Sequence, residues 1–242
     1  MSHIHSLYHF ADRLSVCRFP EKNKIPDFAT FSSLLRITTK YELPAIQSQL
    51  LELVRDAYPE TFEGLVPSKL LGENVFSGPA PHPNEVLNLF VQQKLTSMLP
   101  MAYYMAARKG VQSLINPRHP INARLPPEIL QPAADGLMAL REMELKGIHR
   151  LITTPHRCLS HGCVSPKTLG PGGSDTEHKV IDQITGSSHS GTRILQVFSL
   201  NDVCGDELDV CCKSCEEWWE SGHVEMRKKA WAALPSVFRL RA

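Results

Sequence analysis

The amino-acid sequence predicts a mainly α-helical protein: a helical hairpin, then a helical array, then a small Cys-rich C-terminal segment. Three observations carry this. Apolar residues between positions 28 and 59 recur at three- and four-residue steps in two short runs separated by a Pro-marked corner. Runs of the same period follow at 84–98, 100–110 and 133–146. Six of the seven cysteines lie between Cys158 and Cys215, a clustering that in an intracellular chain points to a metal before a disulfide framework.

In the hairpin, Phe28, Phe31, Leu34, Leu35 and Thr38 share one face of a first helix, and Ile46, Leu50, Leu53, Val54 and Ala57 share one face of a second. Asp27 suits the N-cap of the first. Pro44 suits the first turn of the second and turns Leu43 away from helical angles, so the corner is expected at Glu42 and Leu43. Such a hairpin buries one face only. Helices at 84–110 and 133–146 are expected to cover it, with Leu50 and Leu53 out of solvent.

The chain's 242 residues and 42% hydrophobic content allow a substantial core. With 26 Lys and Arg against 25 Asp and Glu, no global field draws it to nucleic acid or to an anionic membrane. The N-terminus lacks the pattern of a signal peptide, and no apolar stretch approaches the ~18 residues that span a bilayer. A soluble intracellular protein, cytoplasmic or nuclear, is therefore expected. His3, His5 and His9 have no acidic or cysteine partner nearby, and we give that segment no role.

The run SLLRITTKYELPAIQSQLLELVRDAYP, with Leu35, Lys40, Tyr41, Tyr58 and Pro59, resembles the last helical hairpin of BTB (POZ) domains in the form found in a large group of fungal BTB proteins. MLPMAYYMAAR resembles the LPxAxY helix that follows the domain in that group, and AWAALPSVFRL resembles the Trp, Leu-Pro and Phe ending of the same proteins. BTB domains open with strands and intervening helices that are not read here, so the expectation is a truncated BTB domain that keeps its C-terminal helices. The resemblance implies dimerisation and partner docking through that domain. The expected organisation is 1–60 as partial BTB-like helices, 61–155 as a helical region, and 156–242 as a Cys-rich segment.

Breakers crowd residues 59–83, which read as a loop. Asn84 is then expected to cap a helix in which Val86, Leu87, Phe90, Val91 and Lys94 face the core, ending near Met98. A helix from Pro100 to Gly110 follows, with Tyr103 and Tyr104 as core aromatics. The stretch LPPEIL resembles the opening of an F-box, but the spaced apolar and Trp positions that should follow are missing. From Ala133 a helix with Leu137, Leu140, Met143 and Leu145 is expected to stop at Gly147. Residues 164–192 are rich in Gly and Ser and read as a long mobile loop, or as a loop around a short helix or strand at Lys179 to Ile184. LGPGGSD within them lacks the Lys and Ser/Thr of a phosphate loop.

Cys158 and Cys163 are separated by four residues, Cys212 and Cys215 by two. Two short-spaced thiolate pairs on separate segments suit a tetrahedral zinc site that ties the segments together, and the second pair opens a helix, whose amide dipoles favour thiolates. The ligand set read is Cys158, Cys163, Cys212 and Cys215, with His161 and Cys211 as substitutes, and His156, Cys204 and His223 further afield. Ordinary unliganded cysteines and a disulfide are the competing readings. The final helix, 216–233, is anchored by Trp218, Trp219, Val224 and Trp231, and its basic run Arg227, Lys228 and Lys229 reads as a solvated face.

No catalytic constellation is recognisable. The functional expectation is a non-enzymatic protein-interaction adaptor or scaffold, with a partner helix or strand held in grooves between amphipathic helices, and with zinc as a structural cofactor. A zinc-stabilised regulator contacting nucleic acid is the second reading, and metal-dependent hydrolysis the third.

Overall fold

A computed structural model describes residues 26–65, 75–116, 118, 120–153, 192, 194–195 and 212–240. These residues form seven α-helices and a short 3-10 turn, with no strand among them: α1 Phe28–Lys40, α2 Pro44–Val54, α3 Pro83–Gln92, α4 Leu99–Ala107, α5 Val111–Ile115, the 3-10 turn Ile121–Ala123, α6 Pro127–Thr153 and α7 Lys213–Val237. The mainly helical class expected from periodicity is what the chain adopts. No helix among the described residues is long and apolar enough to cross a membrane.

The hairpin forms as its spacing dictates. Asp27 caps α1, its carboxylate accepting from the Thr30 amide at 2.8 Å and the Thr30 hydroxyl at 3.0 Å. These donors stabilise the anion and hold its pKa below the usual carboxylate value. Pro44 opens α2, and the corner falls at Tyr41, Glu42 and Leu43. Phe31, Leu35, Leu50 and Val54 are fully buried and Leu53 partly so, so the apolar face is covered. Phe76, in the segment read as a loop, packs its ring against Phe28 and Phe31 at 5.2 and 5.3 Å. Tyr58, just past α2, meets Phe90 of α3 at 5.1 Å.

Helix α3 begins and ends differently from expectation. Pro83 takes the first helical position, so the cap moves back to His82. Its Nδ1 accepts from the Asn84 amide at 3.2 Å, and the Glu85 carboxylate returns to the His82 amide at 3.3 Å. The helix stops at Gln92 because the Leu95 and Lys94 amides donate back to the carbonyls of Phe90 and Val91, with Lys94 at φ +56°. Lys94 is consequently exposed, outside the helical face.

α6 and α7 are the long antiparallel pair of the array, and three glycines set their separation. Gly136 faces Phe238, Gly147 faces Met226, and Leu151 faces Gly222. As α6 advances its partner recedes almost residue for residue, which is an antiparallel register. Gly147 therefore does not stop α6. It removes a side chain where α7 crosses closely, and the helix continues to Thr153. α6 also starts before Ala133: Pro132 is accommodated inside it at the loss of one backbone bond, and the early turns deliver Ile129 to the core, 5% exposed. α7 likewise extends past Ala233, through Pro235 to Val237.

One connected apolar cluster runs from Phe31 in α1 to Phe238 beyond α7. Inside it, Tyr103 stacks on Phe238 at 5.1 Å, as expected of a core aromatic. Tyr104 is fully buried, and burial pushes its phenol well above the ordinary tyrosine range. Its hydroxyl accepts from the Leu195 amide at 3.4 Å, while Arg227 Nε donates to the Leu195 carbonyl at 2.9 Å. The Thr192 hydroxyl donates to the buried Glu144 carboxylate at 3.0 Å. Thr192, Ile194 and Leu195 are 0% exposed, so the chain at the end of the Gly- and Ser-rich stretch is threaded into the core. The rest of 164–192 lies outside the described residues.

Candidate functional site

Two places combine access with side-chain chemistry. The first is a groove of about 570 Å3 between α1, α3 and the start of α6. Phe28, Leu89 and Ile129 supply apolar wall, and Arg36, Arg124, Glu85 and Glu128 supply charge. Ile121 lies on its rim, 85% exposed. It adds apolar surface to that edge of the groove, beside the apolar wall of Phe28, Leu89 and Ile129.

The wall opposite α1 is held by two asparagines one turn apart on α3. Asn84 Nδ2 donates to the carbonyls of Ser113 and Ala123 at 3.2 and 3.1 Å. Asn88 Nδ2 donates to those of Asn122 and Arg124 at 2.8 and 3.0 Å. Both amides must present nitrogen to these carbonyls, which fixes their orientation. The pair thus clamps the 3-10 turn, and Ile121 with it, onto α3. The expectation that Asn84 caps α3 missed this role. Two asparagines at i and i+4 among Val86, Leu87 and Phe90 were the available signal.

The second place is the start of α7. Cys212 is its N-cap, partly exposed, and Cys215 lies buried in its first turn. Their sulfurs are 3.7 Å apart, well beyond the ~2.05 Å of a disulfide bond. The turn is closed by the Cys215 and Glu216 amides donating to the Cys212 carbonyl at 2.9 and 3.2 Å. Cys158, Cys163, His161 and Cys211, with His156 and Cys204, lie outside the described residues. Among the described residues no three His, Cys, Asp or Glu side chains gather into a metal-holding group. His223 lies eight residues past Cys215 on the same helix, about 12 Å along its axis, too far to share an ion with that thiol. It is buried and stacked parallel to Trp219.

The basic run in α7 is divided by burial. Arg227 is 6% exposed, bonded to Leu195 and set over the Phe62 ring at 5.5 Å, whereas Lys228 and Lys229 are exposed. The reading of all three as a solvated face therefore fails at Arg227, whose guanidinium ties α7 to the segment after α2. Trp231 reinforces that tie through Phe62 at 6.4 Å.

No protein-family model matches the chain, and no curated protein and no solved structure matches it.

Proposed function

We propose that the protein is a non-enzymatic protein-interaction module, an adaptor or scaffold of the BTB-like kind suggested by residues 28–59, and that it docks partners in the groove between α1, α3 and α6. The observation that carries this reading is Ile121, 85% exposed on the rim of a groove with apolar walls. Burying such a side chain against a partner is favourable by about 25 cal/mol per Å2 of apolar surface. The clamp formed by Asn84 and Asn88 pre-organises that rim, which lowers the ordering cost of binding.

The charges favour a peptide over a polyanion. Arg36 and Arg124 are offset by Glu85 and Glu128, so nucleic acid or an anionic membrane surface would meet repulsion beside each attraction. An extended peptide segment with an apolar side chain for Ile121 and Phe28, flanked by one acidic and one basic residue, matches both signs.

Selection of a displayed random-peptide library on the purified full chain tests this. Sequences of that pattern should be enriched, and their affinity should fall by about tenfold or more in Ile121→Asp. Lys146→Glu, on the exposed side of α6 away from the groove, should bind as wild type. Failure to enrich any peptide, or equal binding by Ile121→Asp, would overturn the reading.

A further inference from the structure

We propose that the groove between α1, α3 and α6 reads a side-chain carboxamide, and that Asn88 of α3 and Ser32 of α1 are the residues that read it. The inference rests on the peptide-docking reading of the same groove and adds one residue type to the ligand, glutamine.

Asn88 supplies the main observation. It lines the groove and is 8% exposed. Both of its amide hydrogens go to the carbonyls of Asn122 and Arg124, so its nitrogen is fully used and its orientation fixed. Oδ1 is then left buried, with no hydrogen-bond partner among the described residues. An acceptor in that state carries the cost of desolvation without the bond that offsets it, and a ligand donor relieves it. Asn84 Oδ1 is equally unpaired, but Asn84 does not line the groove, which makes it an internal control.

Helix α1 supplies the complement. Arg36 Nη2 donates to Gln92 Oε1 at 3.5 Å and bridges the two helices. One turn back from each of these residues stand Ser32 on α1 and Asn88 on α3, and both line the groove. Ser32 is 8% exposed, so its hydroxyl is an enclosed polar group that can donate or accept.

The occupant must therefore bring a hydrogen-bond donor to Asn88 and a polar atom to Ser32. Oδ1 is sheltered from bulk solvent, so the donor has to arrive on a side chain that passes the rim. A charged donor would lose its hydration against an uncharged acceptor, and a carboxylate has no hydrogen to give. A carboxamide meets both needs: its N–H goes to Oδ1 and its carbonyl oxygen accepts from the hydroxyl. The methylenes of a glutamine suit the apolar wall of Phe28, Leu89 and Ile129.

Titration of the isotopically labelled full chain with N-acetylglutamine N-methylamide, followed by proton–nitrogen correlation spectra, tests this. The Asn88 side-chain amide and the Ser32 backbone amide should shift together at millimolar probe, while the Asn84 side-chain amide stays in place. The corresponding glutamate, methionine and threonine derivatives should bind about tenfold or more weakly. Ser32→Ala, whose fold circular dichroism checks, should weaken the glutamine probe by about 2- to 10-fold. No shift at Asn88, equal binding of the methionine or threonine derivative, or unchanged affinity in Ser32→Ala would overturn the inference. Peptides still enriched through Ile121 would in that case leave the docking reading standing. Shifts at Asn88 without any enriched peptide would uphold the carboxamide site and overturn peptide docking.

Discussion

Gly136 of α6 lies beneath the ring of Phe238, so near that a β-carbon on residue 136 would overlap the ring edge. Phe238 is 1% exposed and stacked on Tyr103, so the ring has nowhere to go. Alanine would gain about 1 kcal/mol in helix propensity, but overpacking a filled core costs about 1–3 kcal/mol. Gly136→Ala should therefore be destabilising, by about 1–2 kcal/mol. At Gly147 the obstacle is the thioether of Met226, which has three rotatable bonds and can swing aside. Gly147→Ala should change stability by less than about 0.5 kcal/mol. Urea unfolding of the two variants checks the contrast, and equal effects would mean that the α6–α7 contact is not set by the Phe238 ring.

How far the fold was legible follows from such contacts. The hairpin corner was readable because Asp27, Pro44 and the apolar periodicity act locally, within a turn of where they stand. Gly147 was misread as a helix stop because its role is to admit a residue nearly eighty positions away. Arg227 looked like surface charge beside two lysines, and only the arrival of Leu195 and Phe62 makes it a core residue. Phe76 stands in the 59–83 stretch read as loop from its glycines and prolines, and only the fold brings its ring onto Phe28 and Phe31 of α1. The two-residue spacing of Cys212 and Cys215 made their proximity in the first turn of α7 legible, whereas Ile121 and its asparagine clamp depend on a fold that brings the 3-10 turn to α3.

The helix ends offer a second prediction. α1, α3 and α7 each finish with the same paired bonds from two following amides, and the turning residue has positive φ: Glu42 at 52°, Lys94 at 56° and Arg239 at 55°. Each is followed by a leucine, Leu43, Leu95 and Leu240, in the position where such motifs place an apolar contact. None of the three is glycine, which is why the end of α3 was not foreseen. The left-handed conformation costs an ordinary residue about 1 kcal/mol. Lys94→Gly should raise stability by a few tenths to about 1 kcal/mol, since glycine is unstrained there but loses more entropy on folding. A thermal melt below that of wild type would contradict it.

The asparagine clamp supports a third. Asn84 is fully buried and gives both amide protons to carbonyls. Asn84→Ala takes this donor from the buried Ala123 carbonyl, at about 1–3 kcal/mol. Asn84→Asp should be worse, because an acceptor of similar shape and negative charge replaces the donor. Chemical denaturation should rank Asp below Ala below wild type. Loss of the clamp should also loosen Ile121, seen as faster amide exchange across 121–124.

Acid sensitivity is the last prediction. Burial, with the Arg227 guanidinium beside it, pushes His223 down to about 4 from its ordinary value of 6.5. In the unfolded chain His223 recovers that ordinary value. Between the two pH values the unfolded state takes up a proton that the folded state refuses, so acidification favours unfolding. The stability present above pH 6.5 is lost as the pH falls toward 4, up to about 3 kcal/mol from this group, and the loss then levels off as the folded imidazole protonates. Carboxylates also titrate near the lower end, so the test is a comparison. His223→Phe keeps an aromatic ring against Trp219 but carries no titrating nitrogen. Urea midpoints for wild type should drop more steeply than those of His223→Phe between pH 6.5 and 4. Parallel profiles would show that His223 is protonated in the folded protein and that its burial does not govern the acid limb.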